Sequence, residues 1–94
     1  MIVINTKSDS ITIDGHADFD DLGHDVVCAA ISSIVTTTCE AIAYFDKDAI
    51  DVKSRSGHMT INILKHDDIT ENLLGNMQAC IEEVRKAYPN NFKY

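Results

Sequence analysis

The apolar residues of this chain change their spacing back and forth between two periods, and that alternation leaves few folds open. Ile11 and Ile13 alternate with Thr12 and Asp14, the pattern of a strand covered on one face only. From a start near Asp25 the spacing lengthens, and Val27, Ile31, Ile34, Val35, Thr38 and Ile42 fall on one face of a helix. Period two returns with Ile50 and Val52, then with Met59, Ile61 and Ile63, around a turn at Ser54-Arg55-Ser56-Gly57. After Asp67-Asp68 a second helical stripe follows: Ile69, Leu73, Met77, Cys80 or Ile81, Val84 and Tyr88, with Pro89 ending the helix. A β-rich run at 1–5 and a polar turn at Lys7-Ser8-Asp9-Ser10 supply the first hairpin, and residues 90–94 suffice for a short edge strand. The order is therefore β-β-α-β-β-α. Two helices covering the single apolar face of a mostly antiparallel or mixed sheet make a two-layer α+β sandwich. The 94 residues form one domain, 1–94, whose core needs no disulfide or metal staple.

Charge and cysteine usage narrow the partners. A net charge of −7, with only eight lysines and arginines spread along the chain, argues against direct nucleic-acid binding and favours a basic protein or peptide. No basic start leads into an apolar run, and no apolar stretch is read as approaching the roughly 20 residues that span a bilayer. A cytoplasmic protein without membrane contact is the expectation. Three cysteines, an odd number, suit reduced thiols in that compartment. Cys28 and Cys39 stand eleven positions apart on one helix, about 16 Å, too far to bridge.

Chemistry concentrates in residues 14–28, Asp-Gly-His-Ala-Asp-Phe-Asp-Asp-Leu-Gly-His-Asp-Val-Val-Cys. A strand runs into Gly15-His16, an acidic loop follows, and a helix opening near Asp25 carries Cys28 in its first turn. Helix N-termini hold partial positive charge and unpaired N–H groups, so a thiol placed there ionises below its free pKa of about 8.5. An imidazole within reach takes the proton and returns it to a leaving group. Two histidines compete for that role. His16 lies at the strand end, on the polar parity unless Gly15 bends the chain; His24 stands four residues before Cys28 and faces it if the helix starts early. Asp25 reads either as the helix N-cap or as an orienter of the imidazole. Phe19, Leu22 and Ser32 are candidate substrate contacts, and Asp18, Asp20 and Asp21 would attract a basic substrate terminus. No metal or cofactor is expected. The acidic loop lacks calcium ligands at its fifth and twelfth positions, Leu22 and Ala29, and a zinc set from His16, His24, Cys28 and His66 lacks paired ligand spacing.

Two segments, Gly15-His16-Ala17 and Gly23-His24-Asp25-Val26-Val27-Cys28-Ala29-Ala30-Ile31-Ser32, closely resemble the paired motifs of the ribosomal-processing cysteine protease family. The interval of twelve from His16 to Cys28 fits as well, and Ala87-Tyr88-Pro89 is similar to the family's ending. The resemblance implies a small homodimeric cysteine protease with His16 as general base and Cys28 as nucleophile. It further implies removal of a short N-terminal extension from large-subunit ribosomal protein 27, with the cut after a hydrophobic sequence ending in an aromatic residue. The crowding of Asp18, Asp20 and Asp21 departs from the family pattern. It allows a phage-type or divergent homologue that processes a capsid or scaffold precursor. From other classes, the competing readings are a non-catalytic acidic module that binds a ribosomal protein, and a redox sensor.

Overall fold

Strands and helices fall where the change of period places them. The computed structural model describes residues 1–15, 26–55 and 57–93. In chain order these form β1 (Ile2–Thr6), β2 (Ser10–Asp14), α1 (Val26–Phe45), β3 (Ile50–Arg55), β4 (His58–Ile63), α2 (Asp68–Ala87), a 3-10 turn at Pro89–Asn91 and β5 (Phe92–Lys93). The sheet is mixed, in the order β3-β4-β2-β1-β5. Its β1–β2, β2–β4 and β3–β4 pairs are antiparallel, and β5 runs parallel to β1. The tail thus adds the edge strand expected of it, pairing Ile2 with Phe92.

Register follows from which side chains must leave water. Ile11 stands opposite Ile61 and Ile13 opposite Met59, so both strands turn the same apolar face inward. That face, with Ile2 and Phe92, packs against Val27, Ile31, Val35 and Ile42 of α1 and Leu74, Met77 and Ile81 of α2 in one cluster. Each such side chain contributes roughly 1.5–3 kcal/mol on burial. Ser10, Thr12, Asp14, Thr60 and Asn62 take the alternate positions, on the face the helices leave open.

The inward stripe of α2 keeps Met77 and Ile81 as expected, with Leu73 and Val84 partly buried against the core, but it is shifted at its ends. Thr70, Leu74, Met77 and Ile81 are buried, while Ile69 and Tyr88 are 46% and 47% exposed. The reason lies in the cap. Asp67 is the N-cap, and its carboxylate accepts hydrogen bonds from the Thr70 N–H at 2.8 Å and from the Thr70 hydroxyl. A threonine whose hydroxyl is satisfied in this way can turn inward, and the helix rotates to bury it. A second correction concerns α1. Its twenty residues are, by length and composition, long and apolar enough to cross a bilayer, which the reading of the sequence denied. Here α1 is a core helix, with its stripe from Val27 to Ile42 packed on the sheet.

His66 fastens the first hairpin to α2. Its Nε2 lies 2.9 Å from an Asp9 carboxylate oxygen and its Nδ1 2.6 Å from one of Glu71. Both nitrogens donate only in the imidazolium form, and the hydrogen bonds to Asp9 and then Glu71 hold the imidazole above its ordinary 6.5. A pKa raised by folding stabilises the fold fully below the unfolded value, and this contribution is lost as pH rises through the raised value. Stability in low-salt buffer should therefore fall by a small step as pH climbs above the ordinary imidazole value of 6.5. The step shrinks in high salt, because the groups are exposed. Urea unfolding of the wild type and of His66→Gln checks this, and identical profiles would contradict it.

Candidate active site

The site begins where β2 ends. Regular alternation stops at Asp14, because Gly15 adopts φ +85°, a left-handed conformation that favours glycine. A Cβ at Gly15 would fall well inside contact distance of the Met1 carbonyl oxygen, so the position also lacks room for a side chain. The Gly15 N–H donates to the Gly57 carbonyl at 2.6 Å. The bend that parity demanded is therefore present, immediately before His16 in the chain.

The start of α1 meets this bend. Cys28 is the third residue of the helix, 3% exposed, and its Sγ–H faces the Gly15 carbonyl oxygen at 3.7 Å. The first turn of a helix is the electrostatic setting that favours a thiolate. Ser32, half-buried, is one turn further along α1. The structure thus brings Cys28 to the residue that precedes His16. The expected roles of His16, His24 and Asp25, and the expected substrate contacts Phe19 and Leu22, lie outside the described residues.

The other thiols sit in different surroundings. Burial pushes the Cys39 thiol up to about 11, so it stays protonated at neutral pH. Cys80 is partly buried on the flank of α2. Among the described residues no group of three or more histidines, cysteines or carboxylates is placed to hold a metal ion. Iodoacetamide at pH 7.5 should therefore modify Cys28 well before Cys39, as read by peptide mapping. Equal rates at the two positions would remove the case for an activated thiol.

One pair near the site was not visible in the sequence. On the open face of the sheet, His58 Nδ1 pairs with the Asp14 carboxylate, and its Nε2 lies 3.1 Å from the Thr60 hydroxyl. A lone histidine in an alternating strand reads as a solvated side chain. Only the β2–β4 register, which sets Asp14 opposite His58, reveals the partner.

With this geometry in place, comparison with known proteins is informative. The family model described as cysteine protease Prp matches residues 1–93. The ribosomal processing cysteine protease Prp of Mycoplasma genitalium is 32% identical over 94 residues, spanning 97% of this chain and 91% of that protein. Its namesake in Staphylococcus aureus is 27% identical over 90 residues, spanning 93% and 85%. Among solved structures, S. aureus Prp in complex with a substrate peptide superposes with a TM-score of 0.82 at 23% identity, covering 98% of this chain and 93% of that one. The same protease has been seen with a covalently linked product peptide, at the same TM-score and 24% identity, with the same coverage. SMU.848 from Streptococcus mutans gives 0.79 at 19% identity, covering 98% and 88%. These structures share the five-stranded mixed sheet and its two helices.

Proposed function

From the premise that this chain belongs to the Prp family of cysteine proteases and is itself a cysteine protease, we propose that it removes a short N-terminal extension from large-subunit ribosomal protein 27. The cut falls after a hydrophobic sequence ending in an aromatic residue. The observation that carries the site is Cys28 in the first turn of α1, facing the Gly15 carbonyl. Family membership sets aside the non-catalytic binding module and the redox sensor.

In this reading His16 removes the proton from the Cys28 thiol, and the thiolate attacks the carbonyl carbon of the scissile peptide bond. Backbone N–H groups at the start of α1 hold the developing oxyanion. The tetrahedral intermediate collapses, the C–N bond breaks, and protonated His16 gives its proton to the leaving amine. A water molecule, deprotonated by His16, then hydrolyses the thioester and restores the thiol. Asp25 caps the helix or orients His16, while Phe19, Leu22 and Ser32 grip the substrate. Asp18, Asp20 and Asp21 attract its basic end. The S. aureus relative has been seen with a covalently linked product peptide, and this supports a covalent course here. The enzyme is cytoplasmic and homodimeric in this reading.

The test is to mix the wild type and Cys28→Ala with the extended ribosomal protein from the same cell and to examine the products by mass spectrometry. A single cut by the wild type alone supports the proposal. If that protein stays intact while a short peptide of the same hydrophobic–aromatic type is cut, the substrate is another precursor. A capsid or scaffold protein is then next to be tried, as the acidic loop allows. Cleavage of neither overturns the proposal.

A further inference from the structure

Three described residues, Met1, Gly57 and Cys28, meet the backbone at Gly15, and its neighbour Asp14 is held by a residue to which no chemical step has been given. In the plane of the sheet, Gly15 fits between the Met1 carbonyl on the β1 side and the Gly57 carbonyl on the β4 side, which accepts its N–H. From the helix face it meets the Cys28 thiol. From the open face, its neighbour Asp14 is gripped by His58, the residue directly opposite in β4. His58 is in turn fixed through Nε2 by Thr60 at 3.1 Å, so its ring has little freedom to rotate. Arg55 of β3 stands opposite His58 on its other side, and together with Lys53, Thr60 and Asn62 they line a shallow hollow of about 330 Å³.

We propose that His58 is a positioning residue for peptide cleavage: by holding Asp14 from the open face of the sheet, it fixes the turn at Gly15 against Cys28. This rests on the reading of Cys28 and His16 as nucleophile and base. The pair contributes little to stability. Its side chains are 40% and 44% exposed, and solvent screens a contact of that kind. Proton transfer between base and nucleophile is far more sensitive, because a misplacement of about 1 Å can cost a hundredfold in rate. The two effects therefore separate. Loss of the pair should leave the protein folded and slow the chemical step.

His58→Ala should lower kcat for a short hydrophobic–aromatic peptide at least about tenfold with KM little changed, and slow alkylation of Cys28 in parallel. His58→Gln keeps an N–H that can reach Asp14 and should recover most of the rate. Asp14→Ala should match His58→Ala, and the double variant should be no slower than either, since both remove the same contact. Thermal unfolding on the same samples shows whether each variant remains folded. If His58→Ala retains its kcat, or loses activity only as folded protein is lost, the proposal fails. Independent multiplication of the Asp14 and His58 effects also overturns it. Cys28→Ala serves as the control: residual cleavage by that variant means the underlying assignment of the nucleophile has failed, whereas an inert Cys28→Ala beside a fully active His58→Ala defeats the positioning role alone.

Discussion

Cys28→Ala should be folded and inert, with kcat/KM lowered by on the order of 10⁵. The substitution deletes one sulfur atom. Alanine suits a helix, and although Cys28 is buried, the space left is smaller than that of a truncated leucine, so the stability cost should be about 1 kcal/mol. The catalytic cost is of another order, because no other described thiol can substitute. Cys39 belongs to the same helix but lies eleven positions further on, and burial keeps it protonated. Steady-state cleavage of a hydrophobic–aromatic peptide, with circular dichroism to verify folding, checks both halves of this expectation. The same assay assigns the base. His16→Ala should fall almost as far as Cys28→Ala, and His24→Ala should keep most of its rate. The reverse order would move the base to His24.

Gly15→Ala should be the most damaging single-methyl change in the sheet, lowering stability by about 3 kcal/mol. Two costs combine. The left-handed backbone at φ +85° disfavours any side chain by about 1–2 kcal/mol, and the new methyl meets a backbone carbonyl, that of Met1, instead of a side chain that can swing aside. Relief requires the start of β1 to move, which disturbs its pairing with β5. Activity should fall further than the folded fraction does, since Gly15 itself carries the carbonyl that faces Cys28, and any shift of its backbone moves that contact. Urea titration measures the first effect, and kcat at a concentration of urea too low to unfold either protein measures the second. A loss below about 1 kcal/mol would show that the turn relaxes at little cost.

Much of this was legible in the sequence because it is written in local periods. Ile11 and Ile13, the helical stripe of Val27, Ile31, Val35 and Ile42, and the pair of Met59 and Ile61 each declare a face without reference to distant residues, and each is buried on that face, with Ile34 and Thr38 of the same stripe partly buried. Failures came where a distant or polar partner decides. The phase of α2 depends on Thr70, a residue that apolarity alone sends outward, and which the Asp67 cap allows in. The length of α1 as an apolar helix was hidden by Ser32-Ser33 and Thr36-Thr37-Thr38, which interrupt the apolar run although Glu40 is the only charged residue from Val26 to Phe45. The site divides in the same manner. Cys28 at a helix start follows from local sequence, as does the need for a bend at Gly15. The contact between the two spans thirteen residues, and the grip of His58 on Asp14 spans forty-four; neither is set by any short-range pattern.

The central claim is that Cys28 attacks the substrate and carries its acyl portion, and one measurement addresses it directly. The wild-type enzyme is mixed with excess precursor, quenched in acid within the first turnovers, digested and mapped by mass spectrometry. The account predicts that the peptide containing Cys28 gains the mass of the released extension less one water, as a thioester cleaved by hydroxylamine. Cys28→Ala should show neither adduct nor product. Cleavage that proceeds at full rate in Cys28→Ala, or an acyl adduct on any other residue of the wild type, would contradict it.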